Sequence, residues 1–393
     1  MKRHARPLAA LLAAALLGAL AGCGGHSGRP RAAGTGDGES ARPVAESAGQ
    51  RGFTLVATGD VLAHDSIIAQ AREDAAGSGR PYDFRRMLAG AEPVVAPADV
   101  AVCHMETVYG RDGGPFSGYP AFRTPPQVAQ GLKETGYDSC STASNHTLDD
   151  GPEGVRRTLR AMDEAGLRHA GSARSAAERK KPAVLKAGTA TVAQLSYTYG
   201  TNGIPVPEDQ PWLVNLIDPE RIVADARAAR RAGADVVVVS LHWGTEWQQK
   251  PDARQRELAR RLTRSRSDGR RDIDLILGTH NHVPQPYEKV NGTWVVYGLG
   301  DQVAGVMNDP RGSMGTAARF TFAPPRGKDA SWRVRKAEYV PFLMVSEPRF
   351  RLVGLAGPEG REAGRPEYAE ARRTIREAVL SRGAAQDGLT MGR

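Results

Sequence analysis

Residues 236–246, VVVVSLHWGTE, contain the feature that determines the fold class of this 393-residue chain. The run Val236–Leu241 is almost continuously apolar, and a strand of this kind needs a cover on both of its faces. Ile273–Leu277 has the same character. Both runs therefore predict strands at the centre of a sheet that is packed on two sides.

Strands and helices alternate from Phe53 onward. Three more strands are predicted at Phe53–Thr58, Asp99–Cys103 and Asp138–Thr142. Helical stretches, several with proline in the first turn, lie at Pro126–Thr135, Pro152–Ala165, Pro219–Ala232 and Arg254–Thr263. Two segments, Pro182–Thr198 and Thr293–Val340, are rich in strand-forming residues. This order predicts a layered α/β sandwich with strands inside and helices outside.

The composition is that of a globular protein, with 40% hydrophobic and 25% charged residues. Lys2, Arg3 and Arg6 lie in an N-terminal segment without acids, so the rest of the chain keeps a net charge of +6 out of the total of +9. An excess of this size favours acidic partners, such as an anionic polymer or a membrane surface. The arginines are scattered among acids and form no dense basic run, which argues against nucleic-acid binding.

The N-terminus has the pattern of a bacterial lipoprotein. The basic start precedes the apolar run Leu8–Ala21, which is too short to span a bilayer comfortably, and the run ends in Leu20-Ala21-Gly22-Cys23. We therefore expect residues 1–22 to be a signal peptide and Cys23 to carry a lipid anchor outside the cytoplasm. The alternative is an ordinary cleaved signal with an incidental cysteine. Residues 23–51 are dominated by small, polar and charged residues, which predicts a flexible tether.

Cys103 and Cys140 are the remaining cysteines, and both fall at the ends of predicted strands. An oxidising location permits a disulfide between them. Two buried free thiols fit the sequence equally well, so both possibilities remain open.

Each of the five predicted strands runs into polar residues of the types that bind metals or transfer protons. These residues are Asp60; His104 and Glu106; Asn145, His146 and Asp149; His242 and Glu246; and His280 and His282. Open α/β sheets bind their ligands at the carboxyl ends of their strands. Alternate residues of an extended segment project to the same side, so His280 and His282 are expected to share a site.

The combination of imidazole and carboxylate without thiolate suits Mn, Fe or Zn. More than four such groups imply two divalent ions about 3.5–4 Å apart, an arrangement that stabilises both the attacking and the leaving oxygen of a hydrolysis reaction. The sequence leaves open whether one ion or two are bound.

The order of these motifs resembles the calcineurin-like metallophosphoesterase superfamily. Within it, His242-Trp243-Gly244 and Asn145-His146, followed by Asp149 and Gly151, are similar to the CapA family of capsule and poly-γ-glutamate biosynthesis. The resemblance covers roughly residues 53–345. It implies an α/β/β/α metallophosphoesterase-like sandwich in a single catalytic domain, residues 52–345, with a β-rich C-terminal part. Residues 346–393 would then be an extension with an amphipathic helix at Pro366–Arg382.

The resemblance also implies roles for individual residues. The expected metal ligands are Asp60, Glu106, Asn145, His242, His280 and His282, with Glu106 as the bridging carboxylate. His146 would protonate the leaving oxygen, and Asp149 would orient it. Trp243 would wall the substrate cleft or pack in the core. His104, which stands where the family usually has asparagine, would be an additional ligand or a hydrogen-bonding residue at the substrate.

Three departures from the family pattern affect these expectations. Leu62 stands where the superfamily usually has a histidine ligand, which leaves one metal position short of a ligand; His64 or Asp65 would compensate, or lie in a solvated turn. Asp301 adds a carboxylate near the cleft. Thr263–Asp272 is expected to be a charged surface loop.

The resemblance implies a hydrolase acting on a phosphoester or on an amide-linked polyanion, with capsule-synthesis machinery as a partner. The alternative is a non-catalytic lipoprotein that binds or exports a polyanion. A solute-binding lipoprotein is a third possibility, but it does not explain the polar strand ends.

Overall fold

The computed structural model describes residues 51–327, 331–362 and 364–393. The predicted signal peptide, the lipidation site Cys23 and residues 23–50 of the predicted tether lie outside these ranges. Within the described residues, no helix combines the length and the apolar character needed to cross a membrane.

Strands in the described part of the chain are numbered in chain order. They are β1 (Phe53–Val61), β2 (Val100–Met105), β3 (Ser139–Ser141), β4 (Arg168–Ala170), β5 (Ala183–Ala187), β6 (Ala190–Thr198), β7 (Val236–His242), β8 (Arg266–Ser267), β9 (Arg270–Arg271), β10 (Leu275–Thr279), β11 (Tyr287–Val290), β12 (Thr293–Val296), β13 (Asp301–Val303), β14 (Met314–Ala323), β15 (Arg333–Val345), β16 (Arg351–Gly354) and β17 (Leu389–Met391).

The α-helices of the same ranges are α1 (Asp65–Asp74), α2 (Arg85–Leu88), α3 (Glu92–Val95), α4 (Gln127–Thr135), α5 (Gly151–Ala165), α6 (Ala176–Arg179), α7 (Pro219–Arg231), α8 (Ala253–Arg264) and α9 (Pro366–Leu380). As the sequence predicts, α5 and α7 have proline in the first turn. The first turn suits proline because its backbone nitrogen needs no partner there.

Two large sheets form the centre of the domain. The first has the order β16-β15-β14-β1-β2-β3-β4, with β13 paired to β1 and β17 paired to β15. The second has the order β11-β12-β10-β7-β6-β5. Strands β1 to β4 are parallel to one another, and so are β6, β7, β10 and β12. Each sheet therefore brings the carboxyl ends of several strands to one edge.

The two sheets pack face to face, and helices cover their outer faces. Leu55 and Val102 of the first sheet share one buried cluster with Val238 and Leu275 of the second. A second cluster joins the first sheet to Ile67, Leu88 and Leu132 of α1, α2 and α4. A third joins the second sheet to Ile222 and Leu262 of α7 and α8. The predicted α/β/β/α sandwich is confirmed.

The segment after Val345, which the sequence predicts to be an extension, packs into the same domain. Strands β16 and β17 both pair with β15, and Tyr368 and Ile375 of α9 belong to the cluster between the sheets. Residues 346–362 and 364–393 therefore complete the first sheet and its core, because their apolar side chains bury against it.

Within residues 263–272, for which the sequence predicts a surface loop, the first two residues end α8, and β8 and β9 form a small hairpin at the surface. Strands β8 and β9 pair with each other, and Asp272 accepts hydrogen bonds from Ser265 at 2.5 Å and Ser267 at 2.7 Å. Arg227 of α7 donates to the same carboxylate at 2.9 Å. These bonds fix the short segment, and its composition alone does not reveal them.

Candidate metal centre

Two buried carboxylates lie at the carboxyl ends of neighbouring strands. Asp60 belongs to the end of β1, and Glu106 directly follows β2. Asp60 Oδ2 accepts the backbone N–H of His280 at 2.9 Å, while neither oxygen of Glu106 has a hydrogen-bond partner. A glycine precedes Asp60 because β13 approaches closely, and a Cβ at Gly59 would overlap the carbonyl oxygen of Gly300.

Histidines from the second sheet face these carboxylates. His242 ends β7; its Nε2 lies 2.7 Å from Asn145 Oδ1 and 3.8 Å from Glu106 Oε1. His282 Nε2 lies 4.0 Å from Glu106 Oε1, and His282 Nδ1 lies 3.9 Å from Asp60 Oδ2. The structure thus brings residues from both sheets to one point.

His280 and His282 converge by a different route from the expected one. The backbone after β10 bends instead of continuing as a strand, and the φ angles are +90° at His280 and +55° at His282. The left-handed region costs residues other than glycine about 1–3 kcal/mol and is concentrated at functional sites. Their rings nevertheless lie 6.1 Å apart between centroids, so the turn directs both imidazoles into the cluster.

Three further residues join the predicted ligands. His104 Nε2 lies 3.8 Å from Asp60 Oδ1, and Asp301 Oδ1 lies 2.9 Å from His282 Nδ1. Three sets of ligand atoms lie within 4.8 Å of one another: Asp60, His104 and His242; Asp60, His282 and Asp301; and Glu246, His280 and His282.

The donor set fits divalent cations. Six buried side-chain atoms of this cluster have no hydrogen-bond partner: Asp60 Oδ1, Glu106 Oε1, Glu106 Oε2, His104 Nε2, His280 Nδ1 and Asp301 Oδ2. Buried polar atoms are normally satisfied, and a buried unpaired charge is strongly unfavourable. Oxygen and imidazole nitrogen atoms left free in this way are the ligands that Mn, Fe and Zn use.

The electrostatics lead to the same conclusion. Burial raises the pKa of Asp60 to about 8 and also raises the pKa values of Glu106 and Asp301. Burial lowers the pKa of both His104 and His280 to about 3, so these imidazoles are neutral and free to bind a metal. A cation among the carboxylates would favour their ionised form and so reverse the direction of their shifts.

His146 lies beside this cluster and is held by Asp149. His146 Nδ1 lies 2.7 Å from Asp149 Oδ2, and the same oxygen accepts the backbone N–H of Phe122 at 2.8 Å. The Phe122 ring meets the imidazole edge-on, with centroids 4.8 Å apart. The ring of His146 is therefore fixed on one side, which leaves its Nε2 for the cleft.

The cleft next to His146 and His282 has a volume of about 330 Å³. Its walls include Leu62, Phe122, Trp247 and Met307, and Tyr119 and Val306 at its rim are 73% and 75% exposed. Among the described residues that line it, Glu246 is the only carboxylate, and none is lysine or arginine. The cleft is therefore apolar apart from the histidines, Asn308 and one acid.

Several sequence-predicted residues occupy different surroundings from those expected. Trp243 is 3% exposed, packs in the outer core of the second sheet and donates to Tyr297 O at 2.9 Å, so it does not wall the cleft. Trp247 occupies that position, with its ring 5.3 Å from that of His282. Leu62 is buried against Phe122, and His64 Nδ1 accepts the backbone N–H of Gly305 at 3.1 Å.

Three other residues of the site have no role that the sequence predicts. Glu246 was visible after its strand but had no assigned role. Tyr199, whose ring lies 4.5 Å from that of His280, and Phe122 belong to loops without a motif.

The family model "Bacterial capsule synthesis protein PGA_cap" matches residues 54–306, which include all residues of the metal cluster. The PGA biosynthesis protein CapA of Bacillus subtilis is 34% identical over 174 residues, 44% of this chain and 44% of that protein. A Mycobacterium tuberculosis protein named as a probable polyglutamine synthesis accessory protein is 29% identical over 216 residues, 52% of this chain and 55% of that protein.

The chain thus spans about half the length of the curated relatives it matches. A solved calcineurin-like phosphoesterase from Bacillus subtilis superposes with a TM-score of 0.42 and 15% identity, covering 83% of this chain and 97% of the other.

Proposed function

Because this chain belongs to the bacterial capsule synthesis protein family PGA_cap, we propose that it is an accessory protein of capsule or poly-γ-glutamate biosynthesis with a metal-dependent hydrolase site. The observation that carries the enzymatic part is the set of buried, unpartnered oxygen and nitrogen atoms around Asp60 and Glu106. A purely structural cluster would leave these groups without compensation for their burial.

The residues that would hold the ions are the six predicted ligands together with His104, Asp301 and Glu246. When bound, one or two divalent ions of Mn, Fe or Zn would supply Lewis-acid stabilisation of developing negative charge and an activated water. Glu106 is placed to be shared, since its Oε1 lies within 4.0 Å of ring nitrogens of both His242 and His282.

His146 is the residue placed to move a proton. Asp149 accepts a hydrogen bond from Nδ1–H and so fixes the ring orientation, and in the protonated imidazolium Nε2–H would give its proton to a leaving atom in the cleft. Phe122 supports this pair through its backbone N–H and covers the imidazole from one side.

The cleft favours a substrate with an uncharged or apolar group beside the scissile bond. Its walls offer aromatic and aliphatic contacts, and the described residues that line it include no lysine or arginine, so the metal centre would be the main contact for an anionic group. Both an aryl phosphoester and the methylene-rich backbone of an amide-linked polyanion meet this requirement.

We place the protein outside the cytoplasm, anchored by lipid at Cys23. The bond between Cys103 and Cys140, whose Cα atoms lie 4.4 Å apart, supports an oxidising compartment, since disulfides are rare in the cytosol. Labelling of cells with a radioactive fatty acid tests the anchor; incorporation that persists in Cys23→Ser would contradict it.

The hydrolase proposal is tested by metal analysis of the purified full chain together with hydrolysis of bis(p-nitrophenyl) phosphate and poly-γ-glutamate. We expect bound Mn, Fe or Zn, and loss of both metal and activity in Glu106→Gln and His282→Ala. Glu257→Gln is the matched control for Glu106→Gln, because Glu257 is exposed on α8 and does not belong to the metal cluster. A folded protein that binds no divalent ion would refute the proposal.

A second candidate is a non-catalytic protein that binds or exports a polyanion. The net charge of +6 that remains after the predicted signal peptide is compatible with it. Under this hypothesis, polymer binding would survive Glu106→Gln and no hydrolysis would be seen with any loaded metal.

A further inference from the structure

A second groove lies at the edge of the sandwich where β4 faces β5 and β6. We call it the edge groove and define it by Arg168, Lys180 and Lys181 on its rim and Gln194, Ser196 and Asn215 on its floor. Its volume is about 530 Å³, larger than that of the cleft at the metal centre.

The acidic residues of this groove are already paired within the protein. Asp163 and Glu178 accept hydrogen bonds from Arg174, Asp163 at 2.6 Å. Asp225 accepts from the hydroxyl of Tyr197 at 2.8 Å and lies 3.5 Å from Arg179. Their charges are therefore largely neutralised and repel an anion only weakly.

The cations on the rim of the edge groove, in contrast, have no acidic partners within the part of the chain that the structure describes. Arg168, Lys180 and Lys181 are exposed, and none has an ion-pair partner among the described residues. Three unpaired positive charges around an opening attract anions, and they do so most strongly at low ionic strength.

The floor offers neutral hydrogen-bonding groups. Gln194 and Ser196 are each 1% exposed. Gln194 Nε2, Ser196 Oγ and Asn215 Oδ1 have no hydrogen-bond partner among the described residues, although Gln194 Oε1 accepts from Ser139 at 2.6 Å. One free amide donor, one hydroxyl and one free carbonyl acceptor can satisfy both the C=O and the N–H of a peptide-type bond.

We propose that the edge groove binds a carboxylate-bearing polyamide chain, with the carboxylates at the rim cations and the amide groups toward the floor. A polyphosphate could accept hydrogen bonds from Gln194 Nε2 and Ser196 Oγ, but having no N–H it would leave the acceptor Asn215 Oδ1 unused. The identity of the polymer as poly-γ-glutamate rests on the proposed function, whereas the existence of the groove site does not.

The edge groove is connected to the metal centre through β6. Ser196 and Thr198 lie two residues apart on this strand, about 7 Å at about 3.3 Å per residue. Thr198 is paired in register with His242. Gly171 lies so close to Ser196 Oγ and to the backbone of Ala143 that a Cβ there would clash with both. A chain held in the groove therefore lies beside the loop that carries Asn145, and the groove would retain the polymer next to the hydrolase site.

The experiment measures the affinity of fluorescently labelled poly-γ-glutamate for the full chain at low salt by anisotropy. The triple variant Arg168→Glu, Lys180→Glu, Lys181→Glu is compared with Arg72→Glu, Arg333→Glu, Arg335→Glu, which makes the same change of charge at exposed positions elsewhere. We expect at least about tenfold weaker binding in the groove variant and less than about threefold in the control. Gln194→Ala tests the floor without any change of charge, and we expect about threefold weaker binding.

Failure of this proposal is distinguishable from failure of the proposed function. In a Glu106→Gln background, where the hydrolase site is lost, the groove substitutions should still weaken polymer binding far more than the control substitutions. Equal weakening by the groove and control variants would overturn the edge groove as a site. Equally tight binding of polyphosphate, unaffected by Gln194→Ala, would overturn the assignment to a polyamide.

Discussion

Asp60 and Asp301 lie directly opposite each other on the parallel strands β1 and β13, both buried, and the Nδ1 atom of His282 lies within 3.9 Å of a carboxylate oxygen of each. Two ionised carboxylates buried on neighbouring strands repel each other unless a positive charge lies near them. Under the metal-site proposal, this pair would therefore make the stability of the domain depend on a divalent cation bound beside it.

The first prediction concerns Asp301→Asn. In the chelated protein the substitution removes one buried negative charge while its Oδ1 still accepts from His282, so we expect the free energy of unfolding to rise by about 1 kcal/mol. In the metal-loaded protein we expect about 10- to 100-fold weaker metal binding. Thermal unfolding with and without EDTA measures both effects; a substitution that destabilises the two forms equally would contradict this electrostatic account.

The second prediction concerns proton transfer. His146→Ala should lower kcat by about 10²- to 10⁴-fold with unchanged metal content. Asp149→Asn should lower kcat by roughly 10- to 100-fold with little change in KM, because it loosens the orientation of His146 and not substrate binding. Steady-state kinetics with diphenyl phosphate, whose phenolate leaving group is more basic than p-nitrophenolate and so depends more on protonation, provide the measurement alongside elemental analysis. Full activity of His146→Ala would exclude it as the acid.

How far the sequence predicts this molecule depends on the feature. The apolar runs at Val236–Leu241 and Ile273–Leu277 predict the central strands, and the structure has them at Val236–His242 and Leu275–Thr279. The family predicted from the motif order is confirmed by the match over residues 54–306. These features are local, since a strand and the polar residue at its end are adjacent in the chain.

Features that depend on pairing between distant segments were not predictable. Cys103 and Cys140 lie opposite each other only because β2 and β3 pair in that register. Asp301 meets Asp60 because β13 is inserted beside β1. His280 and His282 converge because the backbone forms a left-handed turn there. The alternation of residues in an extended segment, from which the sequence predicts a shared site, does not reveal this turn.

The third prediction follows from that register. The structure joins Cys103 and Cys140 in a disulfide that closes a loop with a sequence separation of 37. A loop of this length corresponds to about 4 kcal/mol of stability on the chain-entropy model. We expect the double variant Cys103→Ala, Cys140→Ala to lose about that amount in urea unfolding. Alkylation of the unfolded, unreduced protein should label neither cysteine; labelling of both would show free thiols.

The fourth prediction concerns the pH dependence of the hairpin formed by β8 and β9, which Asp272 anchors. Burial alone would raise the pKa of Asp272, but hydrogen bonds from Ser265, Ser267 and Arg227 outweigh it and lower that pKa. A lowered folded-state pKa gives stability that is fully present above the unfolded value of about 3.9 and is lost as the pH falls through the folded-state pKa. Asp272→Asn should therefore cost about 1–3 kcal/mol at pH 7, and progressively less below about pH 4.

The matched control for that substitution is Asp268→Asn, at an exposed position in the same hairpin. Urea unfolding at pH 7 and at pH 3 should show no comparable loss for it. A penalty for Asp272→Asn that does not shrink on acidification would mean that its charge is not the stabilising feature.

The last prediction separates two tryptophans that lie four residues apart. Trp243 is 3% exposed, stacks on Tyr297 and donates to its carbonyl oxygen, so Trp243→Ala should cost about 3–5 kcal/mol of stability. Trp247 instead lines the cleft beside His282, with its backbone N–H bonded to Asn281 O at 2.9 Å. Trp247→Ala should leave the unfolding free energy within about 1 kcal/mol and raise KM for an aryl phosphoester roughly tenfold, because it removes an apolar wall of the cleft.

Unfolding and kinetic measurements on both variants show which tryptophan supports the fold and which one binds the substrate. If Trp243→Ala raised KM in a stable protein and Trp247→Ala did not, the substrate would be bound on the other side of the second sheet's edge, and the cleft described above would not be the substrate site.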